Sequence, residues 1–234
     1  MKAMILAAGV GSRLRPLTDK TPKALIEVGG KSMLETIALR LKAAGASALI
    51  VNAHHHAEQV VSACARLEKA LGLPVAVSRE DELLLETGGG VKKAAGFFDD
   101  GKPFLVHNGD ILTDLDLKAL FAAHLKGGAQ ATLAVMDRPT KRKLSFDEKG
   151  RLLGRAEEGK PGTALGFSGV YAANPSLFGL MMETGKFSLT DFLVRVAPIE
   201  RIGSYRCDGA YWTDIGDAMK LEAARRRAEG RTAA

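Results

Sequence analysis

Apolar positions along the chain follow two spacings. Short unbroken runs at residues 3–8 (AMILAA), 48–52 (ALIVN), 75–78 and 104–107 (FLVH) have the length and boundaries of strands buried on both faces. Between them apolar residues recur every three to four positions. Met33, Leu34, Ile37, Ala38 and Leu41 predict a helix over 33–44, and a second amphipathic stretch covers 57–71. Gly45 stops the first helix, and Gly72 with Pro74 stops the second. Residues 24–28 read as a short extended run closed by Gly29-Gly30, and a further helix is predicted over 117–126 with Asp114 and Asp116 at its start. Strands alternating with helices in this way give a parallel sheet, right-handed crossovers and helices on both faces.

The second half departs from this alternation. Residues 131–136 read as a strand, 144–147 and 152–155 as a hairpin turning near Lys149-Gly150, and 166–173 as another strand. Helices are predicted over 175–182, with Pro175 in the first turn, over 189–196, and over 217–227, followed by a frayed end at 230–234. A mixed β half of this kind commonly supplies a second substrate pocket beside a nucleotide-binding half. The chain is therefore read as a single domain, with 1–127 as one half and 128–234 as the other.

Composition narrows the class. A chain that is 46% hydrophobic and 26% charged folds into a globular core, and it has no apolar run long enough to span a membrane. The N-terminal apolar run is too short for a secretory signal and leads straight into a glycine loop, so a cytoplasmic protein is expected. Cys64 and Cys207 lie far apart, outside any C-x-x-C pair, and read as buried thiols in a reducing compartment. The net charge of +6 raises the question of nucleic acid, but the cations are dispersed apart from Arg225-Arg226-Arg227 and no aromatic or zinc-finger motif accompanies them. A phosphate-binding cleft and solvated helix faces account for the charge better.

Candidate chemistry concentrates in a few stretches. Gly9 and Gly11 let the backbone turn tightly after the first strand, and Arg13, Arg15 and Lys23 follow on a loop stiffened by Pro16 and Pro22. Exposed N–H groups beside fixed cations suit a polyphosphate. The loop is neither a dinucleotide fingerprint, whose third glycine is here Leu14, nor a P-loop, which needs Gly-Lys-Ser/Thr. Three successive glycines, Gly88, Gly89 and Gly90, where a short helix should begin would allow a flat group to lie against the backbone. Asp110, exposed by Gly109 at the end of a buried strand, is the foremost metal candidate. His54-His55-His56 reads as a loop at a strand end, since consecutive histidines cannot all face one ion.

The run from Gly9 to Lys23 reads G-x-G-[ST]-R-x-x-P-L-T-x-x-x-P-K, at Gly9, Gly11, Ser12, Arg13, Pro16, Leu17, Thr18, Pro22 and Lys23. In this it resembles the signature of the sugar-1-phosphate nucleotidyltransferases. The other family motifs follow in order: T-G-G-G at Thr87–Gly90, N-G-D at Asn108–Asp110, F-S-G at Phe167–Gly169, and W-x-D-x-G at Trp212–Gly216. The E-T-G-G-G run resembles the uridylyltransferase branch that acts on N-acetylmuramate 1-phosphate in cell-wall (peptidoglycan) recycling.

The resemblance implies a Rossmann-like (GT-A-like) α/β fold: a mixed, mostly parallel central sheet with helices on both faces and a small β-rich sugar-binding elaboration. It implies a reaction in which a nucleoside triphosphate and a sugar 1-phosphate give a nucleotide-sugar and pyrophosphate. Ala8, Gly9, Gly11, Ser12, Arg13, Gly88, Gly89 and Asn108 would bind the nucleotide. Lys23, Asn108, Ser168, Gly169 and Lys160 would bind the sugar phosphate, although Gly159 interrupts the family's E-K-P run at Lys160. Asp110 and Asp214 would hold Mg²⁺, and Arg13, Lys23 and Asp110 would carry catalysis. The expected partners are the two substrates, with no nucleic acid and no membrane, in a monomer or small homo-oligomer. Longer relatives continue into a left-handed β-helix or a dimerising helical region, neither of which is expected here. A transferase using GTP, CTP or dTTP, and a non-catalytic nucleotide-sugar sensor on the same fold, stay open on the sequence.

Overall fold

The computed structural model describes residues 1–232. In chain order the elements are β1 (Lys2–Leu6), β2 (Glu27–Val28), β3 (Lys31–Ser32), α1 (Met33–Ala43), β4 (Ala48–Ala53), α2 (Ala57–Leu71), β5 (Val75–Arg79), α3 (Glu86–Lys93), β6 (Phe104–Asn108), β7 (Ile111–Thr113) and α4 (Leu117–Gly127). There follow β8 (Ala131–Met136), β9 (Lys143–Phe146), β10 (Leu152–Arg155), β11 (Thr163–Ala173), α5 (Leu189–Val196), β12 (Ile202–Arg206), β13 (Trp212–Asp214) and α6 (Ala218–Thr232). The helix starts are capped as their sequences dictate. Ser32 Oγ accepts the Glu35 N–H at 3.1 Å for α1, and Asp116 accepts the Ala119 N–H at 2.9 Å for α4.

The fold is the expected mixed α/β sheet. β5, β4, β1 and β6 are parallel, β11 enters antiparallel beside β6, and β8 and β12 extend that edge. Alternation along β1 divides the core in two. Ala3 and Ile5 face the layer of α1, α2, α4 and α6, whereas Met4 faces the layer of α3 and α5. Both cysteines are buried, and burial pushes the Cys64 thiol up to about 12 and Cys207 to about 11. No helix among the described residues is long and apolar enough to cross a membrane.

Several expectations need correction. Residues 175–180 form a 3₁₀ turn rather than a helix to 182; Phe178 stacks parallel to Phe104, centroids 5.5 Å apart, and this docks a tight connector in place of further helical turns. β11 starts at Thr163 because β9 gives its first residues a partner. β7, β12 and β13 are short strands set by pairing: β12 lies parallel to β8, and β13 antiparallel to β7. Residues 230–232 continue α6 instead of fraying, and the rest of that stretch lies outside the described residues.

One irregularity positions the site. On one side β11 pairs first with β9, up to Gly166 opposite Lys143, and then with β6, from Val170 opposite His107. Phe167, Ser168 and Gly169 fall between the two partners, and Gly169 adopts φ +80°, which favours glycine. Where β11 changes partner the sheet parts beside the C-terminal end of β6. A change of strand order at the carboxyl ends of parallel strands is where open α/β sheets hold ligands.

Candidate active site

A cleft of about 870 Å³ opens at that point. Leu6, Ala7 and Ala8 at the end of β1, Asn108, Gly109 and Asp110 after β6, and Phe167 of β11 form its floor. Gly9, Gly11, Ser12, Arg13 and Lys23 line one wall; Leu84, Glu86 and Thr87 line another; Arg138, Thr140, Arg142, Arg155, Ser188, Thr190 and Asp191 close the far side.

The signature loop is held by its own residues. Gly11 sits at φ +68°, and a Cβ there would meet Thr18 Cγ2 at 2.9 Å and Lys23 Cβ at 3.2 Å, so glycine is required by both conformation and space. Thr18 Oγ1 donates to the Gly11 carbonyl at 2.9 Å. The histidine run braces the loop from behind: His55 Nε2 lies 3.0 Å from the Thr18 carbonyl and His56 Nε2 3.1 Å from that of Asp19, while His54 Nδ1 bonds the Glu80 carbonyl at 2.6 Å. His55 and His56 are struts of the loop. Asn52 links the end of β1 to the segment before α3, accepting the Ala7 N–H at 2.7 Å and donating to buried Glu80 at 2.6 Å; Glu80 also accepts the Leu85 N–H.

Strand pairing brings the backbones of the two aspartates together. β13 lies against β7 with Asp214 opposite Ile111, and the Ile215 N–H donates to the Asp110 carbonyl at 3.0 Å. Each carboxylate accepts an ammonium: Lys23 Nζ is 2.5 Å from Asp110 Oδ2, and Lys220 Nζ 2.6 Å from Asp214 Oδ2. The Gly216 N–H donates to Asp214 Oδ1 at 2.8 Å, and a side chain at Gly216 would meet both that oxygen and the Arg13 guanidinium. Arg13 therefore lies near Asp214, across Gly216. Burial opposes ionisation of Asp214, but the Lys220 and Gly216 hydrogen bonds and the charges of Lys220 and Lys23 outweigh it and hold the carboxyl below its ordinary value. Arg138 stacks over Trp212, 3.9 Å from the ring centroid, and donates to the Phe167 carbonyl at 2.9 Å, which fixes its guanidinium beside the same strand.

Ala8, Gly9, Gly11, Ser12, Arg13, Lys23, Asn108 and Asp110 all line the cleft, and Asp214 stands directly behind Gly216. Other sequence candidates fall outside it. Gly88 and Gly89 are buried inside α3 and do not line the cleft; Phe187 and the Gly185 carbonyl fill the space a side chain there would need. Ser168 is buried and accepts the Trp212 indole N–H at 2.8 Å, while a Cβ at Gly169 would meet Asn108 Nδ2 at 2.8 Å; both position cleft residues from behind. Lys160 is exposed and paired with Glu157 at 2.7 Å, away from the cleft lining. Arg15 is exposed and paired with Asp19, and Asp114 accepts the Tyr211 N–H at 2.7 Å, tying the end of β7 to the start of β13.

Sequence reasoning missed Asn52, Arg138, Arg142, Arg155, Asp191 and Lys220. The basic run R-P-T-K-R-K over residues 138–143, in a turn between two strands, is the one local signal that marked any of them.

Comparison with known proteins agrees with this geometry. The nucleotidyl transferase family profile matches residues 2–230. The chain is 36% identical over 229 residues to the N-acetylmuramate alpha-1-phosphate uridylyltransferase of Neisseria meningitidis serogroup B, covering 96% of each protein. It is 32% identical to the mannose-1-phosphate guanyltransferase of Candida albicans over 92% of its own length and 61% of that protein's. Among solved structures, apo UDP-glucose pyrophosphorylase superposes with a TM-score of 0.84 at 17% identity, covering 99% of this chain and 98% of that one. A glycine loop flanked by Arg13 and Lys23, two aspartates joined by strand pairing and a family profile spanning nearly the whole chain lead to one conclusion: this protein is an enzyme of the nucleotidyltransferase family.

Proposed function

We propose that this chain transfers a uridylyl group from UTP to N-acetylmuramate 1-phosphate, releasing pyrophosphate, as a step of cell-wall recycling in the cytoplasm. The observation that carries the proposal is that Arg13, Lys23 and Asp110 line one cleft with Asp214 next to its Gly216, a cation and carboxylate set suited to joining two phosphates. The acceptor is supported by the relative named for that reaction, which this chain matches over 96% of both lengths.

The chemistry needs no nucleophilic side chain. The ionised phosphate oxygen of the acceptor attacks the α-phosphorus in line. A new P–O bond forms, the bond from the α-phosphorus to the bridging oxygen breaks, and pyrophosphate leaves with that electron pair. The barrier is repulsion between anions and charge gathering on the leaving group, which fixed cations offset. Arg13 holds the β- and γ-phosphates as a planar two-pronged donor, with the N–H groups of the glycine loop beside it. Lys23, fixed by its buried stem, places its ammonium where the acceptor phosphate approaches.

The residues present fit magnesium. Asp110 and Asp214 give oxygen-only ligation, both already accept a cationic group, and magnesium commonly takes one or two carboxylates with waters and substrate phosphates completing the shell. Bound there, the ion supplies charge neutralisation at the transferring phosphate.

A grid of UTP, GTP, CTP and dTTP against several sugar 1-phosphates, read by pyrophosphate release, tests the proposal. Release confined to UTP with N-acetylmuramate 1-phosphate is expected. Release with GTP and mannose 1-phosphate would favour the second reading, which the similarity to mannose-1-phosphate guanyltransferase supports.

A further inference from the structure

The far wall of the cleft carries a cation that phosphate transfer does not use. Arg13 and Lys23 stand at the signature loop, and Arg138 is tied to Trp212, Phe167 and the field of Asp214. Arg142 and Arg155 lie elsewhere. Lys143 opposes Gly166, four residues and about 13 Å of strand along β11 from the Val170–His107 pair. Arg142 immediately precedes Lys143, and Arg155 opposes Leu144 on the next strand. The two arginines thus share one corner of the sheet, remote from the aspartates, and both face the cleft.

Their charges are not equally balanced. Arg155 is ion-paired with Asp191, and Lys143 beside it with Asp137 at 3.0 Å. The Arg142 guanidinium makes no hydrogen bond or ion pair among the described residues, although its backbone N–H bonds Thr140 Oγ1 at 3.2 Å and so sets the turn that presents it. The cleft lining also includes the hydroxyl residues Thr140, Ser188 and Thr190, partners for neutral sugar groups. With Arg155 balanced by Asp191 and Arg138 held on Trp212, the exposed Arg142 guanidinium is the unbalanced planar cation of this side, the complement of a sugar bearing a single carboxylate.

We infer that Arg142 reads a carboxylate on the acceptor sugar, so that the cleft selects a sugar-acid 1-phosphate over its neutral counterpart. The inference rests on the proposed transfer to N-acetylmuramate 1-phosphate, whose lactyl ether ends in a carboxylate, and names the group by which that acceptor is chosen. Arg155, neutralised by Asp191, is a positioning residue that borders the same group.

The test compares N-acetylmuramate 1-phosphate with its lactyl carboxamide analogue, which has the same shape without the charge, using UTP with the wild type, Arg142→Gln and Arg142→Lys. The wild type should favour the acid in kcat/KM by about ten- to a hundredfold, the range of a charge-assisted hydrogen bond, mostly through KM. In Arg142→Gln the ratio of acid to amide should fall close to one, and Arg142→Lys should restore part of it. Equal melting temperatures establish that all three are folded. Equal use of acid and amide by the wild type, or a ratio that Arg142→Gln leaves unchanged, overturns the carboxylate inference while leaving the transfer reaction standing. A wild type that uses neither muramyl compound but turns over a neutral sugar 1-phosphate overturns the acceptor reading and the inference with it.

Discussion

Lys23→Met separates chemistry from packing at the centre of the site. The Lys23 residue is only 9% exposed, its stem lies against Gly11, and its ammonium is 2.5 Å from an Asp110 side chain that is 34% exposed. Methionine keeps most of the buried stem and removes the charge. Asp110 can be rehydrated, so the folded state loses about 1 kcal/mol. For a domain of this size that lowers Tm by about 2–4 °C. The catalytic loss is larger. An ammonium about 4 Å from a unit of developing negative charge, at an effective dielectric constant near 20, contributes about 4 kcal/mol. That corresponds to about a thousandfold in kcat/KM. Thermal melting and steady-state pyrophosphate release on the same preparation check both figures. Activity within tenfold of wild type would refute the role of Lys23, and a collapse of Tm accompanying the loss would show that the residue serves packing instead.

Three further outcomes are expected. Asp110→Asn should lower kcat by at least about a hundredfold with the fold intact, as loss of a group that stabilises transition-state charge does; near-normal turnover removes Asp110 from the metal site. Gly90→Ala would put a Cβ 2.7 Å from Asn52 Nδ2 and 2.8 Å from Glu80 Oε1, so thermal melting should show a loss of about 1–3 kcal/mol from overpacking; an unchanged Tm means the Asn52–Glu80 link is not tight. Burial holds buried His107 down to about 4 from its ordinary 6.5. The unfolded chain therefore takes up the proton first, and stability is lost as pH falls from 6.5 towards 4, by about 3 kcal/mol in all. Urea unfolding across that range should show a steeper loss for wild type than for His107→Gln.

The parts of this fold that the sequence revealed are those dictated by local rules. β1, β4 and β6 are apolar runs buried on both faces, α1 and α2 carry helical spacing with Gly45 and Gly72 past their ends, and the signature loop is fixed by Gly11 and two prolines. What stayed hidden depends on partners distant in sequence. β12 is a strand because β8 lies beside it, and β13 joins β7 only after the chain has crossed the sheet. The glycines of α3 illustrate the limit. Their number pointed to a close approach, and the approach is real, but Phe187 and Gly185, about a hundred residues away, make it. Likewise Arg142 and Arg155 become cleft residues only because β11 changes partner between Gly166 and Val170. The aspartates and Lys23 were legible singly; the Asp110–Lys23 pairing, and Lys220 on Asp214, were not.

The central claim is that this cleft joins a uridylyl group to a sugar 1-phosphate. Phosphorus-31 NMR of the purified protein with UTP, N-acetylmuramate 1-phosphate and Mg²⁺ tests it most directly. The account predicts loss of the sugar monophosphate signal with growth of two coupled diphosphate resonances and pyrophosphate in equal amounts. Release of orthophosphate, or an unchanged spectrum from protein that still binds UTP, would contradict it.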